Sequence, residues 1–338
     1  MVKLRLLLIL LTLRPVIADI TITSTTVNLS AANAQLVGKL DNTLNDLFYS
    51  IASLAGPGII NAAAFSSTIG IQRQQENMPR FQLEPSAGII VPGKAKGDER
   101  LGALPLYAAN IVGGFRLDEK TAIQLRGFYL PETEFNVRTT RLSIQPYSFG
   151  ASLTRQVKAA GSEWYNPAIV TPLDLAYMHG TFAATFSGTA KDVSFDPAGD
   201  GSQGNARADV HYTNNFRLRW NVYSFTTGLI LVKPFLSVFT ARLGLLASLH
   251  LGNSTLTNTA NGTMLVTASA ATGGNEFKVN DTATIEVRNA ASFRPVLVSN
   301  QVSLGLGINL AGATLNIDLT QNLQYNATAI VLQLGCWL

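Results

Sequence analysis

Histidine, cysteine and serine are the residues of this 338-residue sequence that could do nucleophilic or metal chemistry. None of the three histidines has a metal-ligating neighbour at helical spacing, and the single cysteine, Cys336, has no partner, so we expect no metal site and no cofactor. Ser248 and His250 share one strand face, but no motif supplies the third group that must orient a catalytic histidine. We therefore predict no catalytic residues and keep a hydrolase, inactivated by His250→Ala, as the last of three hypotheses.

Charged residues are scarce and follow a pattern. They make up 14% of the sequence, against about 25% in an average soluble domain. Several occupy the polar phase of segments in which every second residue is apolar. The residues that we expect to line an interior are Arg126, Arg217, Arg219, Arg242, His250 and Asp318, with Asp174 and Glu286 as further counter-charges. They either pair with one another and fill that interior, or line a pore with a mild anion preference.

Hydrophobic residues make up 47% of the sequence, yet past residue 20 no apolar run reaches the roughly 18 residues of a spanning helix. The low charge argues against disorder, despite the many Ser, Thr, Asn and Gly residues. Low charge, dispersed hydrophobicity and alternating strands are together typical of a transmembrane β-barrel. A soluble secreted β-sandwich is the alternative fold.

The alternating segments are longer than the strands of soluble proteins. The stretch 238–252 alternates over 15 residues, whereas soluble strands average about 5–6 residues and tilted spanning strands need roughly 9–11. We therefore predict an all-β fold, a transmembrane antiparallel β-barrel of about 12 strands, within a range of 10–14. The predicted strands are 63–72, 80–91, 105–117, 120–130, 141–157, 168–187, 206–214, 215–232, 235–252, 292–310, 312–323 and 327–338. Segments 263–270 and 276–288 either add a hairpin to an outer loop or complete a fourteen-stranded wall.

The first 18 residues have the pattern of a secretory signal peptide. Lys3 and Arg5 precede an apolar run, and small residues precede a cleavage point after Ala18. Cleavage removes three positive charges, including Arg14, from a net charge of +4 and leaves +1. A chain so close to neutral gives no support to nucleic-acid binding, and we expect none.

Residues 31–55 predict one amphipathic helix, which Gly56-Pro57-Gly58 would end. Its apolar stripe includes Leu40, Leu44, Leu47, Phe48 and Ile51. The helix either lies inside the barrel or across its periplasmic mouth as a plug, or rests on the membrane surface. Its polar face lacks the Lys and Arg of a surface binder, which favours the plug. The predicted division is a signal peptide at 1–18, a lead-in with the plug helix at 19–61, and a barrel at 62–338.

The final strand resembles the C-terminal strand of bacterial outer-membrane proteins that the assembly machinery recognises. The residues that carry this resemblance are Ile330, Leu332, Leu334, Trp337 and Leu338. The segments 126–132 (RGFYLPE) and 147–152 (YSFGAS) resemble the sequences of barrels that are distantly similar to the FadL type of transporter for hydrophobic compounds. That resemblance implies a bacterial outer-membrane location, with membrane lipid, the assembly machinery and an unidentified small-molecule cargo as partners.

Three functions are open at this point. The first is a passive channel or transporter for small compounds, hydrophobic ones included. The second is a non-conducting surface barrel whose long loops, at 188–214 and 253–291, bind host or environmental partners. The third is the barrel hydrolase. Conductance or uptake separates the first function from the second, and a catalytic assay on the His250→Ala variant tests the third.

Overall fold

A computed structural model describes eleven parts of the chain, and the account that follows is confined to them. These parts are 21–29, 56–69, 81–92, 106–137, 140–195, 206–236, 238–268, 279–280, 282–310, 312–324 and 327–337. The predicted signal peptide, the stripe of Leu40, Leu44, Leu47, Phe48 and Ile51, and Leu338 lie outside the described residues.

The described residues form one helix and thirteen strands. Helix α1 covers 56–67. The strands are β1 (Thr21–Leu29), β2 (Phe81–Pro92), β3 (Leu106–Arg116), β4 (Thr121–Tyr129), β5 (Thr133–Val137), β6 (Thr140–Lys158), β7 (Ala168–Phe195), β8 (Ala206–Phe235), β9 (Phe239–Ala268), β10 (Thr282–Phe293), β11 (Val298–Leu310), β12 (Ala313–Asn322) and β13 (Ala327–Trp337).

Ten of these strands close into a ring in which all neighbours are antiparallel. The order around the ring is β9-β11-β12-β13-β2-β3-β4-β6-β7-β8, and β8 pairs with β9 to complete it. The closing seam joins β13 to β2, with Ala327 opposite Pro92. The predicted all-β antiparallel barrel is confirmed, and the ring of ten described strands falls within the predicted range. Closure leaves no unpaired edge in the wall, which bilayer-spanning strands require.

Three strands are far longer than a bilayer requires. β7 has 28 residues, and β8 and β9 have 30 each. Along the outer half of β9 the partner is β10, and along its first half the partner is β11, so β10 and β11 follow each other along one edge. β1 pairs with the free side of β10. The outer parts of these strands, 181–195, 206–220, 254–268 and 282–293, form a sheet that we call the projection.

Aromatic side chains bound a band of outward-facing apolar residues. Tyr147, Tyr177 and Tyr223 form one belt, with ring centroids 6.1 and 4.7 Å apart. At the other end Phe235 and Phe239 stack at 5.7 Å. Twelve residues separate Tyr223 from Phe235 along β8, which places the belts about 30 Å apart at an ordinary strand tilt. This spacing matches the hydrocarbon thickness of a bilayer.

The outward face of β9 changes character where it passes the Tyr belt. From Phe239 to Leu251 every outward residue is Phe, Leu or Ala, and from Asn253 to Thr263 every one is Asn or Thr. The apolar part therefore faces lipid, and the polar part belongs to the projection and faces water. The long-loop prediction was wrong, because most of 188–214 and 253–291 is strand. A segment with Thr at every second position favours a β-strand as strongly as a segment with Leu at every second position.

The predicted strand at 63–72 was also wrong, because 63–67 belongs to α1. The segment Ala62-Ala63-Ala64 has high helix propensity, and the helix is buried on all sides, so it has no polar face to set a helical period. Gly56-Pro57-Gly58 lies inside this helix instead of ending one, and the predicted division at 61–62 falls within α1. The separate strands 206–214 and 215–232 are one strand, β8.

Candidate functional site: the interior of the barrel

Helix α1 lies inside the barrel. Ile60, Ala63, Ala64 and Phe65 are 0% exposed, a burial that only a surrounding wall can provide. The residues of the wall and of the projection that pack with the helix are apolar: Ile90, Met178, Leu218, Trp220, Val222, Leu256, Ala291, Phe293, Ala327, Ala329 and Val331. At this level the interior is therefore a packed apolar core.

The helix runs inward from the projection side. Gly56 lies against the ring of Phe293, where a Cβ atom would come within 2.4 Å of the ring, so only glycine fits. Oδ1 of Asn61 accepts a hydrogen bond of 2.9 Å from the backbone N–H of Val296, between β10 and β11. The other end of the helix reaches Gln301, further along β11. The helix axis therefore follows the barrel axis.

A buried ion pair meets the C-terminal end of α1. Arg126 on β4 binds both carboxylate oxygens of Asp174 on β7, and Nη2 lies 2.7 Å from Oδ2. The same Nη2 donates to the backbone carbonyl of Ser67 at 2.8 Å. A guanidinium at a helix C-terminus satisfies a carbonyl that has no helical partner and complements the helix dipole. Arg126 thus joins the end of α1 to two strands of the wall.

A chain of hydroxyls and one histidine forms the second attachment. Ser67 Oγ lies 2.7 Å from the Ala64 carbonyl oxygen and 2.6 Å from Ser224 Oγ. Ser67 Oγ is the donor in both contacts, so its one proton is shared between the Ala64 carbonyl and Ser224 Oγ. Ser224 Oγ then lies 2.8 Å from Nδ1 of His250, and Ser299 Oγ lies 2.8 Å from Nε2 of the same ring. His250 therefore connects Ser224 on β8 with Ser299 on β11.

The described contacts of His250 lack the carboxylate of a Ser-His-Asp triad. In such a triad the carboxylate orients the histidine, which takes the proton of the serine. The group at the other ring nitrogen is Ser299, and no described carboxylate contacts His250. Ser248, the serine suggested by the sequence, bonds to Thr226 at 2.8 Å instead of to His250. The histidine is built as a link between α1 and β11.

A third attachment holds the turn that follows α1. Nε2 of Gln301 donates to Thr68 Oγ1 at 2.9 Å and lies 3.2 Å from Ser248 Oγ. Thr68 Oγ1 in turn donates to the carbonyl of Phe65 at 2.8 Å. We call the three attachments, made by Arg126, Ser224 and Gln301, the clamp. All three meet Ser67 or Thr68, at the last residue of α1 or directly after it, so the helix is fixed at its inner end.

Beyond the clamp the interior is mostly polar. Arg242 and Asp318 pair at 2.9 Å, and both are almost fully buried. Both lie over Gly305, where an added Cβ would come within 2.1 Å of Asp318 Oδ1. The glycine lets the pair lie flat against the wall. An apolar patch of Ala168, Val170, Ile230, Val232 and Leu246 faces the same space.

The structure places four of the six predicted lumen-lining residues inside the wall. Arg126, Arg242, His250 and Asp318 are buried there, and Arg126 pairs with the predicted counter-charge Asp174. The other two, Arg217 and Arg219, are exposed on the outer face of the projection, so that prediction was wrong. The alternation of polar and apolar residues divides a strand into two faces, but it does not show which face lies inside the barrel. At this level the apolar face, with Leu218 and Trp220, packs inward.

The predicted assembly strand has the expected orientation. Ile330, Leu332 and Leu334 in β13 are exposed on the outer face, and Cys336 shares that face. Trp337 is the last residue of β13. The strand therefore presents one continuous apolar face to its surroundings.

Sequence reasoning missed Ser67, Ser224, Ser299 and Gln301. Ser224 alternates with Tyr223 and Phe225, so strand phase would have placed it inside. No sequence signal links Ser67 to Ser224, because they are 157 residues apart.

Within the described residues, no group of three or more His, Cys, Asp or Glu could hold a metal ion. No helix in those parts of the chain is long and apolar enough to cross a membrane.

Comparisons with known proteins find fold likeness without close relatives. No protein-family model matches the chain, and no curated protein matches it. Among solved structures, the translocator domain of autotransporter NalP from Neisseria meningitidis matches at 9% identity and a TM-score of 0.31, over 88% of this chain and 98% of that one. A Pseudomonas aeruginosa FadL homologue matches at 9% identity and a TM-score of 0.28, over 81% of this chain and 91% of that one. The attachment invasion locus protein Ail of Yersinia pestis matches at 9% and 0.25, over 63% and 95%.

Likenesses as distant as these carry nothing about what the chain does. The class of protein follows from the molecule itself. A closed antiparallel ring, an apolar band about 30 Å wide and an aromatic belt at each edge define a barrel of the bacterial outer membrane.

Proposed function

We propose that the protein passes small compounds, hydrophobic ones included, through a lumen that α1 closes until the helix shifts. The observation that carries the proposal is the position of α1, a helix inside the wall and distinct from it. Its inner end is held by a few side-chain contacts, so it can leave without breaking any strand pairing. A purely structural core has no need of a separable element.

The interior chemistry fits a compound with apolar and polar parts. The space that α1 occupies is lined by Met178, Trp220 and Phe293, and the space beyond it by Arg242 and Asp318. A shift of α1 exposes the first set to the cargo, after which the polar residues lead onward. Ligand sites of this kind combine an apolar lining with a few placed polar groups.

A reversible lock on α1 tests the proposal. Ser67 Oγ and Ser224 Oγ are 2.6 Å apart, so cysteines at both positions, with Cys336→Ser, can form a disulfide between helix and wall. We expect oxidation to abolish single-channel current in planar bilayers and swelling of liposomes in small solutes, and reduction to restore both. A disulfide forbids a displacement that hydrogen bonds merely oppose.

A matched control measures the effect of a disulfide that does not hold the helix. Thr226 and Ser248 are a hydroxyl pair in the same buried layer, 2.8 Å apart, but both belong to the wall. Cysteines there should leave conductance the same whether oxidised or reduced. Equal conductance of the oxidised and reduced lock, or no transport by any folded variant, would contradict the proposal.

The projection supports a second candidate, a surface barrel that binds partners. β8 and β9 extend about 15 residues past the Tyr belt, more sheet than a channel needs to close its rim. This candidate predicts a sealed lumen in every variant. It also predicts that shortening the hairpin between β7 and β8 abolishes attachment to a partner surface.

We also propose the partners that the outer face suggests. The apolar band would contact membrane lipid, and β13 would be recognised by the outer-membrane assembly machinery through Ile330, Leu332 and Leu334. Replacing Leu332 and Leu334 with Ser should lower the amount of folded barrel in the membrane while detergent refolding is unchanged. Equal amounts in cells would count against that role.

A further inference from the structure

The outer face of the projection, on β7, β8 and β9, is built of polar rows that follow one another above the Tyr belt. Strand register sets each row, so that Thr181, Arg219 and Thr255 lie side by side. The next row outward contains Arg217, flanked by Ala183 and Thr257. Two arginines thus share one face, one row apart, where the membrane hydrocarbon ends.

These two arginines lie on the exposed surface of β8. Both are exposed, and no carboxylate within the described residues pairs with either. Arg141, by contrast, is an exposed arginine that pairs with Glu134. Arginine binds phosphate through two parallel hydrogen bonds, and a position at headgroup height offers phosphate from the lipid itself.

Rows further outward carry hydroxyl, amide and imidazole groups. Ser187, Thr213 and Asn261 form one row, and Thr189, His211 and Thr263 another. A shallow groove of about 570 Å³ is lined by both rows. Such neutral donors and acceptors suit a ligand rich in hydroxyl groups. The face therefore changes from apolar, through cationic, to neutral polar with distance from the membrane.

We propose that this face binds the lipopolysaccharide of the outer leaflet. The ligand has the same chemical order: acyl chains, then phosphates, then core sugars. The acyl chains lie against the apolar band, Arg217 and Arg219 bind the phosphates, and the two outer rows bind core sugars. The matching order at three levels singles out this glycolipid over a simple phospholipid, which ends at its headgroup.

Binding of lipopolysaccharide with an intact core, measured as a Kd on the detergent-folded full barrel, tests the proposal. In the Arg217→Gln, Arg219→Gln double variant we expect at least tenfold weaker binding and a weaker dependence of Kd on salt. The matched control is Arg116→Gln with Arg155→Gln, two exposed arginines at the opposite end of the barrel. The control should bind within twofold of the unchanged protein. All four side chains are exposed, and a heat-induced mobility shift verifies folding.

Two further arms identify the ligand. The Asn261→Ala, Thr263→Val variant should weaken binding of the full-core glycolipid and leave lipid A, which lacks the core sugars, unaffected. Phosphatidylglycerol and inorganic phosphate should not displace the glycolipid at equal concentration. The proposal is overturned if the double arginine variant keeps its Kd, if the control loses as much, or if phosphatidylglycerol competes equally.

Discussion

The apolar band and the projection share strands, but the polarity of their inward and outward faces is reversed. On β9, outward residues of the band are apolar, and the interior there holds Arg242 and His250. In the projection, outward residues are Thr and Asn, and Leu256 and Met264 face inward. Strand geometry is the same in both, so the solvent outside decides which face is apolar. A single strand can therefore face lipid at one end and water at the other.

The largest expected effect comes from the buried ion pair in the interior of the barrel. Asp174→Asn leaves Arg126 buried without its counter-charge, and removing one partner of a buried pair costs about 3–5 kcal/mol. Urea unfolding of the barrel in lipid vesicles measures the free energy of unfolding. The double change Arg126→Met, Asp174→Leu should recover most of the loss. A loss of similar size in the double variant would show that the pair is not the cause.

A charge on the outer face compares the two regions directly. Leu245 faces lipid near the middle of the band, and Thr257 holds the same phase twelve residues further along β9. Leu245→Arg should lower the free energy of unfolding in vesicles by about 2–4 kcal/mol, because the charge enters hydrocarbon. Thr257→Arg is the control and should change stability by less than about 0.5 kcal/mol. Equal losses would mean that the membrane boundary does not lie near Leu251.

The smallest expected effect is on the outer face of the projection. Thr185 Oγ1 donates to Asn215 Oδ1 across β7 and β8 at 2.8 Å. Thr185→Ala removes an exposed cross-strand pair, and such pairs contribute roughly 0.2–1 kcal/mol. Hydrogen exchange of the projection should speed up while exchange in the band stays constant. Faster exchange throughout the barrel would contradict the separate behaviour of the two regions.

Much of the barrel could be predicted because its strands carry a Leu stripe. The predicted strand 312–323 matches β12 closely, and the predicted strand 292–310 contains all of β11, although its first two residues belong to β10. The prediction that Arg217 and Arg219 line the lumen was wrong because charges are costly only on positions that face lipid, and this part of β8 lies beyond the membrane. The part of β9 from 253 to 262 lies in a predicted long loop because neither of its faces has that stripe, whereas the strand-like segments 263–270 and 276–288 do pair, in their described parts, as β9 and β10.

The clamp could not be predicted because its members come together only in the closed ring. Ser67 and Ser224 belong to different elements, and so do Gln301 and Thr68, which are 233 residues apart. α1 itself was missed because Ala62, Ala63 and Ala64 offer no amphipathic period. Buried contacts of this kind follow from tertiary packing, and no local pattern encodes them.

The seam between β13 and β2 has a consequence for the order of folding. It pairs the last strand of the chain with the first strand of the wall, so ring closure must overcome the entropy of a very long loop. α1 precedes β2, and the residues that receive it, from Arg126 to Gln301, are all synthesised after it. The set of side chains that contacts α1 is complete only when the ring is nearly closed. We therefore expect α1 to become fully buried only when the seam between β13 and β2 closes.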